Sequence, residues 1–331
     1  PSQSSPVGSG GDDGDLSKVI ASTGVHSRRV SAPEVCTSDL CVKAAEVVLD
    51  GAHWDRDTVD LLIFVSQTPD QVLPATACLL HGRLGLGKQC AAFDVNLGCS
   101  GYVYGLSLAS AHLQAGMASR VLLLVGDTIS KITSAEDRSV AYLFGDAGTA
   151  TLLERDAGAA PMNYITGTDG SGGVHLQVEA GLFRKPSSEI TRTQTVREGG
   201  NVRNDEQLFM NGAEIFNFTI REIPSLIRST LEQAQWSLND VDAVVLHQAN
   251  QFMINYLAKR MKLPPEKVVL ALEEYGNTSS ASIPLAICAQ LKDRLSKGRM
   301  KLLLAGFGVG FSWAAAAIEL DQPFIAPVTD Y

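Results

Sequence analysis

Apolar and polar positions follow two regimes along this chain. Short apolar runs, at Leu61–Val65, within Arg120-Val-Leu-Leu-Leu-Val-Gly126, at Val244-Val-Leu246 and at Leu302–Ala305, are each bounded by polar or Gly-rich turns. Runs of that length predict buried strands. A long small-residue helical pattern begins after the Cys99 turn, and another helical pattern follows His247 and ends at Lys259-Arg-Met-Lys262. Two stretches fit neither regime. Pro1–Asp15, rich in Ser, Gly and Asp, reads as a loop or tail. The segment from Gly167 to about Asn204 contains Asp169-Gly-Ser-Gly-Gly173 and many Ser, Thr and Arg. An irregular segment that long is commonly functional, so it is expected to cap the substrate or a dimer contact.

The strand pattern repeats. Trp54 recurs as Trp236 and Asp60 as Asp242, both 182 residues on, each pair leading into an apolar run. Gly126 and Gly306 close matching strands 180 residues apart, and Cys99 and Asn277 stand 178 apart. A duplicated unit packed about a pseudo-dyad brings such positions to one junction. The division expected is residues 1–165 and 166–331, with Cys99 in the first half and His247 and Asn277 in the second.

Those three residues carry the candidate chemistry. Cys99 sits in Asp94-Val-Asn-Leu-Gly-Cys-Ser-Gly101, where a strand-like run turns into a helix. Unpaired N–H groups and the dipole at a helix N-terminus favour thiolate over thiol, which a cysteine nucleophile needs. His247 ends an apolar run in Val244-Val-Leu-His-Gln-Ala-Asn250, and Asn277 lies in Gly276-Asn-Thr-Ser279. A single cysteine is more often an inert apolar residue, and Cys36, Cys41, Cys78, Cys90 and Cys288 are read as buried ones. The agreement of three repeat registers is what separates Cys99 from them.

Composition narrows the class. With 331 residues, 45% hydrophobic content and a mean hydropathy of +0.07, the chain can bury a large core. No apolar run is long enough to span a membrane, no secretory pattern is visible, and the cysteine spacing matches no metal or disulfide framework. The expected location is the cytoplasm. A net charge of −9 argues against nucleic acid as a partner.

The chain resembles the β-ketoacyl-acyl-carrier-protein synthase III group of thiolase-fold condensing enzymes. The likeness rests on Thr23-Gly-Val25, Leu73-Pro-Ala-Thr-Ala77, the Cys99 turn, Phe144-Gly-Asp-Ala-Gly148, His247-Gln-Ala-Asn250, Gly276-Asn-Thr-Ser-Ser-Ala-Ser282 and Phe307-Gly-Val-Gly-Phe-Ser-Trp313. It implies an α/β thiolase-like fold, with two pseudo-symmetric αβ halves in a five-layer α-β-α-β-α sandwich. It also implies an acyltransferase that loads an acyl group on Cys99 and condenses it with malonyl-carrier-protein, losing carbon dioxide and giving a β-ketoacyl thioester. His247 and Asn277 are the implied partners in decarboxylation, and the backbone N–H groups of Cys99 and Val309 the implied oxyanion hole. Leu73 is the implied acyl-pocket residue, and Lys259 and Arg260 the implied docking site for an acidic acyl carrier protein. No metal or other cofactor is implied, and a homodimer is.

Some positions depart from that group. Where relatives grip coenzyme A with Trp and Arg, the chain has Lys18 and Ser22; a pantetheine-contacting Asn is Ala213, and a docking Arg is Phe252. The group's apolar first strand has no counterpart in Pro1–Asp15. These changes imply a synthase specialised in its primer, in secondary metabolism or surface-glycan acylation rather than housekeeping fatty-acid initiation. Two other readings stand beside condensation: transfer of the Cys99-bound acyl group to an oxygen or nitrogen nucleophile with His247 as base, and a non-catalytic partner subunit.

Overall fold

The computed structural model describes residues 3–6 and 20–331. Strands β1 (Gln3–Pro6) and β2 (Ser27–Val30) form an antiparallel ribbon, so part of the expected N-terminal tail is a strand. The rest of that tail lies outside the described residues. The first main sheet comprises β3 (Leu61–Val65), β4 (Ala91–Val95), β5 (Arg120–Asp127) and β6 (Ala147–Glu154) in the order β4-β3-β5-β6. β3 runs parallel to β4 and β5, and β6 returns antiparallel to β5. After β7 (Asn163–Thr168) come four two-residue strands: β8 (Leu176–Gln177), β9 (Thr195–Val196), β10 (Val202–Arg203) and β11 (Phe209–Met210). β12 (Ala243–Leu246), β13 (Arg299–Gly308) and β14 (Ser312–Asp321) then build the second main sheet, in the order β12-β13-β14-β7.

The apolar runs are strands because both faces of each sheet are covered. In β3, Leu61, Ile63 and Val65 enter the central core while Leu62 and Phe64 enter an outer one. In β12, Ala243 and Val245 face the centre and Val244 and Leu246 face outward. The Gly101–Gln114 and Ser282–Gln290 helices lie between the sheets, and their apolar side chains belong to the central core. The Thr37–Gly51 and Thr76–Arg83 helices cover the first sheet outside, and the Gly212–Ala234 helix covers the second. The result is the α-β-α-β-α sandwich.

The halves also match in detail. Arg120 lies over the Trp54 ring at 4.7 Å, and Lys301 lies over the Trp236 ring at 4.9 Å. Asp60 accepts from the Arg120 N–H at 3.0 Å, and Asp242 from the Lys301 N–H at 2.8 Å. The repeated Trp and Asp thus pin the entry of a parallel strand in each sheet.

The chain passes from the first sheet to the second between Glu154 and Asn163, and β7 pairs with β14. Two expectations need correcting. The 167–204 region is not a plain loop. It holds short ribbons and a Glu189–Arg192 helix, tied by Lys185 to Glu179 and Asp205 and by Arg203 to Asp137. Finally, Cys78 is exposed and Cys36 and Cys288 are half-buried, whereas Cys41 and Cys90 are buried as expected.

Candidate active site

Cys99 lies in the turn between β4 and the Gly101–Gln114 helix and is 7% exposed. β13 passes directly behind it. A Cβ at Gly306 would stand 2.5 Å from the Cys99 carbonyl oxygen, and one at Gly308 would stand 2.8 Å from Sγ, so both positions require glycine. The backbone N–H groups of Val309 and of Cys99 itself point at the sulfur. Two convergent N–H donors at a reacting sulfur are what an acyl oxyanion needs.

The thiol is not held as thiolate in this resting state. Burial, and secondly the Asp127 carboxylate, push Cys99 up to about 12, against the two backbone N–H groups and the Ser279 side chain. Desolvation in a closed site thus outweighs the helix terminus, and the thiolate expected from the helix end is corrected to a protonated thiol.

His247 follows β12, and its N–H donates to Ala305 at 2.8 Å. Its ring meets Phe307 edge-on at 5.8 Å and 89°. Burial lowers its pKa to about 3, only partly opposed by a hydrogen bond with the Ser279 backbone, so the imidazole is neutral. A neutral ring carries one N–H. Nδ1 lies 2.7 Å from Ser282 Oγ, which also accepts from the Gln248 N–H at 3.4 Å. When that hydroxyl donates to Nδ1, the ring proton sits on Nε2.

Asn277 is placed by the Phe144-Gly motif. Its N–H donates to the Leu143 carbonyl at 2.9 Å and its carbonyl accepts from the Gly145 N–H at 3.0 Å. Its side chain accepts from the Ser279 N–H at 2.9 Å and donates one amide N–H to the Ala249 carbonyl at 3.3 Å. The second amide N–H remains for a ligand. Ser279 therefore meets all three groups: the Cys99 thiol, the His247 ring and the Asn277 amide. The first half supplies the Cys99 thiol and its own N–H, and the second supplies the Val309 N–H, the imidazole and the amide around it.

Other expected residues lie apart. Leu73 is 81% exposed, so within one chain it faces solvent rather than an acyl pocket. Lys259 and Arg260 are exposed in the last turn of the Gln251–Met261 helix, which begins four residues after His247. On that helix Phe252 is 58% exposed, and Phe252 and Tyr256 pack against Phe216 at 5.6 and 5.1 Å between ring centres. Ala213 is exposed at the start of the Gly212–Ala234 helix, and Lys18 lies outside the described residues. Among the described residues, no three side chains gather as a metal site, and no helix is long and apolar enough to cross a membrane.

Sequence reading missed Asp127, Ser279, Ser280 and Ser282 as site residues. The three serines stood inside a quoted motif, and Asp127 ends the apolar β5 much as His247 follows β12. A polar residue closing a buried strand was the available signal, because ligands gather at the carboxyl ends of parallel strands.

Comparison with known proteins places the chain in a family. Residues 93–170 match the sequence model described as 3-oxoacyl-[acyl-carrier-protein (ACP)] synthase III, and residues 231–320 match the one for its C-terminal part. The chain is 35% identical over 305 residues to a beta-ketoacyl-[acyl-carrier-protein] synthase III of Caldanaerobacter subterraneus, covering 92% of this chain and 89% of that one. A crystal structure of a 3-oxoacyl-(acyl-carrier protein) synthase from Burkholderia xenovorans superposes with a TM-score of 0.90 at 46% identity, over 96% of this chain and 89% of that one. The priming beta-ketosynthase of the R1128 polyketide pathway superposes with a TM-score of 0.77 at 28% identity, over 93% of this chain and 89% of that one.

Proposed function

We propose a mechanism from one premise: the chain belongs to the β-ketoacyl-[acyl-carrier-protein] synthase III family. It is a condensing acyltransferase of that type. The observation that carries the mechanism is the meeting of Cys99, His247 and Asn277 around Ser279. Cys99 sulfur attacks an acyl thioester, its proton passes to the departing thiol, and a new thioester forms on the enzyme. The N–H groups of Val309 and Cys99 stabilise the tetrahedral oxyanion. Malonyl-carrier-protein then loses carbon dioxide. The charge that appears on its thioester oxygen is met by His247 Nε2–H and the spare Asn277 amide N–H. The enolate carbon attacks the acyl-Cys99 carbonyl, the β-ketoacyl thioester leaves, and the sulfur takes up one proton.

A neutral His247 suits this donor role. Transfer to an oxygen or nitrogen nucleophile would ask the same ring to be a general base, and a pKa near 3 makes it a poor one. The scheme calls on no metal or redox cofactor. Lys259 and Arg260 receive the acidic carrier, with Phe252 and Tyr256 supplying apolar contact beside them. The exposed apolar residues Leu73, Phe183, Ile190 and Val196 support a homodimer, in which Leu73 reaches an acyl pocket across the interface. The departures at Ser22, Ala213 and Phe252 support a specialised primer, and the net charge of −9 is compatible with a cytoplasmic enzyme.

The test is intact-mass analysis with a panel of acyl-coenzyme A and acyl-carrier thioesters, combined with carbon dioxide release from malonyl-carrier-protein. Acylation followed by malonyl-dependent release is expected. Acylation without it would turn the reading toward acyl transfer.

A further inference from the structure

Asp127 is fully buried at the end of β5, yet it stands outside the mechanism above. Both carboxylate oxygens are filled by donors, and the two sets come from different halves. Oδ1 accepts from the Gln67 N–H at 2.7 Å and from the hydroxyls of Ser66 at 3.2 Å and Thr68 at 3.4 Å. Oδ2 accepts from Ser280, through its hydroxyl at 2.6 Å and its N–H at 3.1 Å. The first set follows β3, and its Gln67 side chain occupies the space a Cβ on Gly98 would need, one residue before Cys99. The second set belongs to the turn that carries Asn277. Within that turn Ser279 has a φ of 50°, a left-handed conformation that a non-glycine residue keeps only where its surroundings fix it. The bonds from Ser280 to Asp127 and from the Ser279 N–H to Asn277 fix it on both sides.

We propose that Asp127 is a positioning residue that clamps the Asn277–Ser280 turn of the second half to the strand ends of the first half, in register with Cys99. The inference rests on the decarboxylative reading above. Ser279 holds the Asn277 amide oxygen, so any shift of this turn moves the amide N–H that faces the malonyl thioester. The Cys99 backbone is held by its own turn and by β13, and loss of the Asp127 charge removes one of the influences that raise the thiol's pKa, so loading is not impaired. The clamp therefore acts on the decarboxylation step more than on acyl loading.

The carboxylate chemistry makes the test sharp. D127N keeps the volume but replaces one of the two accepting oxygens with an NH2 group, which sets N–H donors against the N–H of either Gln67 or Ser280. S280A removes a single hydroxyl and leaves Asp127 in place, which covers the case in which D127N does not fold. Each variant and the unsubstituted protein would be assayed for Cys99 acylation by intact mass, for malonyl-dependent carbon dioxide release, and for thermal midpoint. Because small misplacements near reacting groups have large rate effects, D127N should lower the decarboxylation kcat at least about tenfold while acyl loading stays within about threefold. S280A should move the same ratio in the same direction by about two- to fivefold. Unchanged ratios in both variants, or equal loss of both steps with a lowered thermal midpoint, would overturn the clamp. If the unsubstituted protein itself released no carbon dioxide, the functional reading would fall and take the clamp with it.

Discussion

The two halves share a plan and divide the labour. Each pins a parallel strand with a Trp–cation pair and an Asp–backbone bond, at Trp54, Arg120 and Asp60 in one and at Trp236, Lys301 and Asp242 in the other. Each ends its central strands at the seam. There the copies diverge: the first presents a thiol and a buried carboxylate, the second an imidazole and an amide. The outer edges differ too. β14 is covered by β7, whereas the outer edge of β6 borders a groove of about 480 Å³ lined in part by Val47, Leu152, Leu285 and Phe324. That groove is apart from Cys99, His247 and Asn277, none of which lines it. Duplication kept the scaffold and freed the strand ends to carry different groups, so the chemistry is asymmetric although the framework is not.

The division of labour predicts separable losses. Cys99→Ala should lower acyl loading by at least about a thousandfold, since removing a nucleophile removes its covalent route. Asn277→Ala should leave loading within a few-fold and reduce decarboxylation by about 10²- to 10³-fold, the usual effect of losing one donor to a developing charge. Intact mass and carbon dioxide release read the two steps, and parallel losses in both would break the assignment by halves. Because His247 is buried with its pKa lowered to about 3, it is neutral on both sides of pH 6.5. The decarboxylation rate of the pre-acylated enzyme should therefore show no inflection near pH 6 to 7 from this ring. An inflection that disappears in His247→Ala would contradict a neutral donor.

The proposed docking pair, Lys259 and Arg260, lies in the second half. Charge reversal of Lys259 and Arg260 together should raise KM for the carrier substrate by about tenfold with little change in kcat, and the effect should shrink as salt is raised. Steady-state kinetics at two ionic strengths would check it, and a salt-independent KM would mark the pair as ordinary surface.

The smallest effect tests the shared scaffold. Trp54→Ala and Trp236→Ala each remove one ring under a cation, so beyond packing losses each should cost a similar about 0.5–2 kcal/mol. Urea midpoints would compare them. A large inequality would mean that the matched pairs no longer do matched work.

Much of this was legible in the sequence because it depends on local pattern. The apolar runs became the strands of both sheets, since a strand buried on two faces must be apolar throughout. The repeat of Trp, Asp and Gly registered the halves, and the family motifs pointed to Cys99, His247, Asn277 and the Val309 loop. Tertiary structure decided the rest. The protonation state of Cys99 was misread because a helix terminus is visible in sequence, whereas burial and the approach of Asp127 are set by residues far along the chain. The role of Asp127 was hidden for the same reason: its donors, Ser66, Gln67 and Ser280, come from both halves and meet only at the seam. Leu73 shows the converse, where a motif position reads as pocket wall but one chain alone leaves it in water. Sequence fixes which groups are available and which elements carry them; long-range packing determines their neighbours, and the neighbours set charge, tautomer and reach.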